Sequence, residues 1–174
     1  MIRKIAITGP ESTGKSVLAR QLAEHYHTCW VPEYAREYLE LISRPYDEPD
    51  ILEIAKGQLE RETKALEEAE NFLFCDTEPI VTKIWSEVKY HRCHPWILDM
   101  IRENHYDLYL LCDIDLPWEY DPLREHPDQR SFLFERYTRE LESSGRIFRV
   151  ISGYGSQRLN HAISGIDQIF QANS

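Results

Sequence analysis

Residues 9–16 read GPESTGKS and follow the N-terminal apolar run MIRKIAIT. Gly9, four intervening residues, then Gly14, Lys15 and Ser16 make the spacing of a phosphate-binding loop. That motif needs a strand before it and a helix after it, and both are present. KIAIT reads as a strand that stops at the loop. KSVLARQLAEHY places Val17, Leu18, Leu22 and Ala23 along one helical face. Glycines at 9 and 14 allow backbone conformations that a side chain blocks, so successive N–H groups can turn toward phosphate oxygens. Lys15 would bridge the β and γ phosphates and the Ser16 hydroxyl would ligate Mg²⁺, with the helix N-terminus adding positive potential. Gly9, Pro10, Glu11, Ser12, Thr13, Gly14, Lys15, Ser16 and Val17 are therefore the candidate ATP-binding residues.

Beyond the loop, short apolar runs alternate with longer helical patterns. TCWVP is a short second strand halted by Pro32, and NFLFCD, YDLYLLCDI and RIFRVIS are three more, each apolar enough to be buried on both faces. EYAREYLELI reads as a helix, and from Asp50 the stretch DILEIAKGQLERETKALEEAE reads as a long one. Asp50 is its expected N-cap, Glu60 and Lys64 an i,i+4 pair, and its charges a solvated face. EPIVTKIWSEVKYH, PWILDMIREN and SQRLNHAISGIDQIF complete the helices. Alternation of this kind predicts a three-layer α/β phosphate-loop NTPase of the nucleoside or nucleotide kinase type, with about five parallel strands flanked by helices. No repeat or linker interrupts it. The expected organisation is one kinase-type domain over residues 1–174, with an arginine-containing, lid-like insertion at about residues 114–140.

The 174 residues carry a formal net charge of -10, which argues against general duplex binding, because phosphate backbones are held by clustered Lys and Arg. Cys29, Cys75, Cys93 and Cys112 show no CxxC spacing and are expected as buried free thiols. HRCH, at 91–94, lacks a second ligand pair at zinc-site spacing, so no metal is expected there. The N-terminal apolar run is too short for a signal-peptide core, and no run approaches the ~18 apolar residues of a membrane span. A soluble cytoplasmic protein, with neither nucleic acid nor membrane as partner, is the expectation.

Asp76 ends the third strand, where parallel-sheet proteins place their ligands. An aspartate there can hold the Mg²⁺ shell, take the proton from an attacking hydroxyl, or cap the following helix, with Thr77 an equal candidate for the cap. Glu33 ends the second strand and is either a first-turn acidic residue or, with Asp76, part of a pocket for a polyhydroxylated acceptor such as ribose; Tyr34 and Arg36 lie within one helical turn of it. After the fourth strand, Arg124 and Arg130 flank a proline-containing turn and are the candidates to clamp the transferred phosphate. Arg136 and Arg139 read as surface ion pairs with Glu135 and Glu140. Trp118, in a polar loop, suits stacking on a planar, cationic ring.

The stretches ITGPESTGKSVLA, VPEYAREYL, FCDTE…TKIW, YDLYLL and DLPWEYDPLR together resemble the ribosylnicotinamide kinase domain of the bifunctional NadR proteins, grouped with related small phosphate-loop ATPases. The resemblance covers nearly the whole chain. It implies ATP-dependent phosphorylation of the 5'-hydroxyl of nicotinamide riboside to nicotinamide mononucleotide. By position it puts ATP on Gly9 to Ser16, the acceptor near Glu33, Arg36 and Asp76, and Trp118, Asp121 and Arg124 in the substrate or lid segment. Two residues depart from the family pattern: Glu78 stands where a second aspartate is common, and Pro122 where glycine is frequent. The adenylyltransferase partner domain is missing, so the chain should stop at the kinase step. In the resulting assignment Lys15, Asp76, Arg124 and Arg130 are catalytic, and Ser16 and Asp76 hold Mg²⁺. Two alternatives stand beside it, a kinase for another nucleoside and an ATP-hydrolysing regulatory module responsive to pyridine nucleotides.

Overall fold

The computed structural model describes residues 1–170. β1 (Arg3–Thr8) enters the glycine loop and α1 (Lys15–His25) leaves it, followed by β2 (Trp30–Val31), α2 (Tyr34–Leu41) and α3 (Glu48–Ala65). Next come β3 (Phe72–Asp76), α4 (Pro79–Tyr90), α5 (Pro95–Glu103), β4 (Leu108–Cys112), α6 (Arg130–Ser143), β5 (Phe148–Ile151) and α7 (Ser156–Phe170). The strands form one parallel sheet in the order β2-β3-β1-β4-β5. This is the three-layer phosphate-loop NTPase architecture that the alternation of short and long apolar patterns predicts.

The pleat of β1 divides the core. Ile5 and Ile7 pack with Leu18 and Leu22 of α1 and with Ala162 and Ile166 of α7, whereas Ala6 joins Ile51, Ile80, Ile97 and Leu141 under α3 to α6. All five β4 residues are buried, as a strand covered on both faces must be. β5 departs from that expectation. It pairs only with β4, and Arg149 and Val150 are exposed, because an edge strand lacks a neighbour on one side.

Four other local expectations change. Asp47, not Asp50, is the N-cap of α3, and the buried Asp50 sits at the third helical position, where its Oδ2 accepts the Asp47 N–H at 2.7 Å. The charged face of α3 is not wholly solvated. Glu62 is 1% exposed, paired with Lys4 Nζ at 2.8 Å and accepting from the Tyr106 hydroxyl at 2.7 Å. All four cysteines are free thiols, yet only Cys75 and Cys112 are buried, since Cys29 and Cys93 lie outside the strands. Arg136 reaches across to Glu87 of α4 at 2.6 Å, while Arg139 takes the predicted partner Glu135 at 3.6 Å.

Packing of α2 on α3 depends on Gly57. A Cβ there would lie 2.0 Å from the Tyr34 ring, so only glycine lets that ring lie on α3. Among the described residues, no helix is long and apolar enough to cross a membrane.

Candidate active site

Strand register gathers the candidate residues at one end of the sheet. Ile7 of β1 pairs with Asp76 of β3, and Thr77 N–H bonds the Ile7 carbonyl at 3.0 Å, so the Asp76 carboxyl lies beside the strand that feeds the glycine loop. Val31 pairs with Cys75, which brings Glu33 to the same edge. On the other side β4 runs so close that a Cβ at Gly9, with φ of 130°, would meet the Cys112 carbonyl at 3.0 Å. Here the first loop glycine answers to the sheet as well as to the ligand.

A cavity of about 410 Å³ opens over these strand ends. Its lining includes Gly9 through Leu18, Glu33 and Arg36 from the start of α2, Val81, Ile84, Trp85 and Val88 from α4, and Glu119, Arg124 and Arg158. One end is thus backbone and Lys15, the other an apolar wall facing a carboxylate and arginines. Within the loop, the Pro10 carbonyl accepts from Thr13 Oγ1 at 2.8 Å and from Lys15 Nζ at 2.7 Å.

Asp76 is 1% exposed, and neither of its carboxylate oxygens has a hydrogen-bond partner. Burial, and then the charge of Glu33, push its carboxyl up to about 7, against the opposing pull of the Ser16 hydroxyl and Lys15. A carboxyl near neutrality suits proton transfer at physiological pH. The Ser16 hydroxyl and the Asp76 carboxylate are hard oxygen donors of the kind Mg²⁺ takes, and two orphaned oxygens are what a hydrated cation would satisfy. Among the described residues no group of three or more His, Cys, Asp or Glu could hold a metal by itself, so the phosphates would have to supply the remaining ligands.

Neither Asp76 nor Thr77 caps α4. Glu78 does, its Oε2 accepting the Ile80 N–H at 2.7 Å while Oε1 accepts from Thr8 Oγ1 at 3.0 Å. Full burial pushes the Glu78 carboxyl up to about 8, only partly offset by those two bonds. The cap therefore leaves Asp76 unengaged.

The connection from β4 to α6 is tied down from three directions. Glu11 accepts the N–H groups of Glu125 and His126 at 3.2 and 3.0 Å, and Ser12 Oγ accepts the Glu119 N–H at 2.8 Å. Arg36 of α2 pairs with Asp121 at 2.7 Å. Lys89 of α4 reaches Glu125 at 3.1 Å, beside a bond from the Tyr46 hydroxyl to the same carboxylate. The segment is held by the glycine loop and by the helices on the opposite side of the cavity at once.

The predicted site residues separate into those that line the cavity and those that do not. Gly9 to Val17, Glu33, Arg36 and Arg124 line it. Asp76 is buried beside it, and Asp121 anchors Arg36. Tyr34 points away, its ring on Gly57 and under the Arg61 guanidinium at 4.4 Å. Trp118 lies near the guanidiniums of Arg124 and Arg130, 6.0 and 5.9 Å from its ring centre, and outside the lining. Arg130 donates to the carbonyls of Leu116 at 2.8 Å and Ser12 at 3.2 Å.

Sequence reasoning passed over Trp85 and Arg158, and named Glu11 only as part of the glycine loop. Val81, Ile84, Trp85 and Val88 repeat at i, i+3, i+4 and i+7, a stripe that could have been read as a pocket wall as readily as core. Nothing local marks Glu11, whose partners are more than a hundred residues away. Arg158 sits in an ordinary helical pattern, and its partners too are remote.

Comparison with known proteins agrees with this geometry. The family described as AAA domain matches residues 4–158. The trifunctional NAD biosynthesis/regulator protein NadR of Escherichia coli K12 is 33% identical over 129 residues, which is 71% of this chain and 31% of that protein. The chain thus spans about a third of the length of that relative. A crystal structure of NadR protein in complex with NR superposes with a TM-score of 0.82 at 22% identity, covering 97% of this chain and 51% of the other. Thymidylate kinase from Ehrlichia chaffeensis shares the fold with a TM-score of 0.67 at 12% identity, covering 98% and 99%.

Proposed function

We propose that this chain, which belongs to the AAA domain family and is NadR-like over its matched length, is an ATP-dependent kinase that phosphorylates the 5'-hydroxyl of nicotinamide riboside. The observation that carries the reading is one cavity with two chemically different ends. The glycine loop forms one end, while Glu33, Arg36 and the Trp85 wall form the other, with the unpartnered Asp76 carboxylate buried beside the cavity. A triphosphate bound by the loop would present its γ-phosphoryl toward the acceptor. A relative solved with NR supports a pyridine nucleoside as that acceptor.

Asp76 orients the acceptor hydroxyl and receives its proton as the oxygen bonds to the γ-phosphorus and ADP departs. Lys15 neutralises the β and γ phosphates, and Arg124 holds charge on the transferred group. Ser16 and Asp76 would hold Mg²⁺, which would supply charge neutralisation of the phosphates. The segment at residues 114–140 serves as a lid, and its ties to Glu11, Ser12 and Arg36 let it exclude water from the cavity. At neutral pH the apolar wall of Val81, Trp85 and Val88 presents a planar ring with a surface to stack on.

The test is incubation with Mg-ATP and a panel of nucleosides, with phosphorylated product followed by mass. Nicotinamide riboside gaining one phosphoryl group is the expected result. Another nucleoside accepting it in preference corrects the acceptor. Release of ADP and free phosphate alone, for every nucleoside, favours the regulatory ATPase, a reading to which the regulator role in the name of the Escherichia coli relative lends support.

A further inference from the structure

Arg158, on α7, is a cavity-lining residue with a side chain only 6% exposed. Its Nη2 donates to the carbonyls of Thr13 and Asp113, both at 2.9 Å. Its Nη1 donates to the Gly153 carbonyl at 3.0 Å and to Asp115 Oδ1 at 2.7 Å. Asp115 closes the circuit by accepting the Gly153 N–H at 2.6 Å. Since β1, β4 and β5 are adjacent in the sheet, one guanidinium ties together the segments that leave three neighbouring strands.

The bond to Thr13 has a geometric consequence. A trans peptide is planar, so its C=O and N–H point in opposite directions. Holding the Thr13 carbonyl on Arg158 turns the Gly14 N–H the other way, away from that guanidinium. Arg130 does the same one residue earlier, where its bond to the Ser12 carbonyl at 3.2 Å turns the Thr13 N–H away from it. Two consecutive amides are thereby oriented by arginines bonded to the preceding loop carbonyls. With its charge matched by Asp115 and its Nη groups engaged by carbonyls, Arg158 acts on the backbone rather than as a free cation.

We propose that Arg158 is a positioning residue for the nucleoside triphosphate, aiming the Gly14 N–H at a phosphate oxygen by fixing the Thr13 carbonyl. The proposal rests on the reading of Gly9–Val17 as the ATP site. Preorganised amides of this kind are worth more than flexible ones, because no reorientation is needed on binding. Lysine cannot replace the guanidinium, since a single ammonium cannot span four acceptors at these positions.

The test compares the wild-type chain with Arg158→Lys and Arg158→Ala. Calorimetric titration with Mg-ATP should show affinity weakened about tenfold or more in Arg158→Ala, with a smaller loss in Arg158→Lys. Millimolar guanidinium, but not urea, should recover affinity in Arg158→Ala. In amide NMR spectra the Gly14 proton should move downfield when Mg-ATP is added to the wild type, and move less in Arg158→Lys. A general loss of packing would lower the melting temperature without changing that one amide. Should Arg158→Ala not fold, Arg158→Lys decides. Wild-type ATP affinity and a wild-type Gly14 shift in Arg158→Lys overturn the inference while leaving the ATP site standing. A wild-type chain that does not bind Mg-ATP overturns both.

Discussion

The two ends of the cavity are built by different means. At the loop end, Gly9 to Ser16 is one continuous segment, with its Ser12 and Thr13 carbonyls held by Arg130 and Arg158 and its positive pole set by the start of α1. At the other end, Glu33 and Arg36 come from α2, Val81 and Trp85 from α4, and Arg124 from a connection held by side chains of three separate elements. The glycine-loop residues lie in one local segment, whereas the residues at the other end are brought together by tertiary packing. The loop end can serve any nucleoside triphosphate enzyme, whereas the packed end carries what makes one acceptor different from another. The same fold can therefore keep its nucleotide chemistry while its acceptor changes.

The sharpest way to break this contrast is at the carboxylate buried beside the cavity. Asp76→Asn keeps the size of the side chain but removes the base, and turnover should fall by ~10² to 10⁴. Mg-ATP binding, measured separately by titration, should survive. Full turnover would remove Asp76 from the chemistry.

Next in size is a change that deforms only the packed end. Gly57→Val places a Cβ where the Tyr34 ring now lies, 2.0 Å away, and overpacking of that kind costs ~1–3 kcal/mol. Denaturant unfolding should register the loss, and the Michaelis constant for the acceptor should rise more than that for ATP. Equal effects on the two would mean that the ends are not independent.

Glu11 tests how far the connection after β4 is tied to the glycine loop. Glu11→Ala removes the acceptor of the Glu125 and His126 N–H groups, and bonds to a charged group are worth about 1.5–3 kcal/mol before solvent exposure reduces them. Faster hydrogen exchange at those two amides, together with a several-fold weaker acceptor constant, is the expected outcome. Unchanged exchange would show that Arg36 and Lys89 hold the segment without it.

The smallest effect concerns the support of α2 from behind. Arg44 foremost, together with the Asp47 and Tyr38 bonds, holds the Asp50 carboxyl well below the usual carboxylate range despite its burial. A folded value below the unfolded one contributes stability that is fully present above about pH 4 and is lost as pH falls through the depressed folded value. Asp50→Asn should cost about 1 kcal/mol at neutral pH, as a lost helix-terminal bond does. It should also flatten the acid limb of stability plotted against pH. An acid limb identical to the wild type's would assign that limb to other carboxylates.

Much of the fold was legible because it rests on short-range patterns. The alternation of KIAIT, NFLFCD and YDLYLLCDI with helical segments located the central strands, and the glycine spacing located the loop between β1 and α1. β5 misled, because apolar content tells that a strand exists and not whether a neighbour covers it. Asp50 misled by a single helical turn, since Asp47 and Asp50 are both good first-turn residues and only the backbone bond between them separates cap from third position. At the site, Glu33, Arg36 and Arg124 were found from the acidic and basic residues that follow strand ends. Trp85, Arg158 and the contacts of Glu11 with the connection after β4 were not, because each depends on partners distant in the chain.

The sequence by itself determined that a phosphate-binding loop joins a strand to a helix, and that parallel strands carry it with an acidic residue at the end of a neighbouring strand. Those features follow from hydrophobic period, glycine placement and chain order, all of which act over a few residues. Only the tertiary structure decided that Glu78 takes the helix cap and leaves Asp76 unpartnered, that Tyr34 turns toward Gly57, and that Arg158 holds the Thr13 carbonyl of the loop. The physical reason is that a buried polar group takes whichever partner packing brings within about 3 Å, and that partner can stand more than a hundred residues away, as Thr13 and Arg158 do.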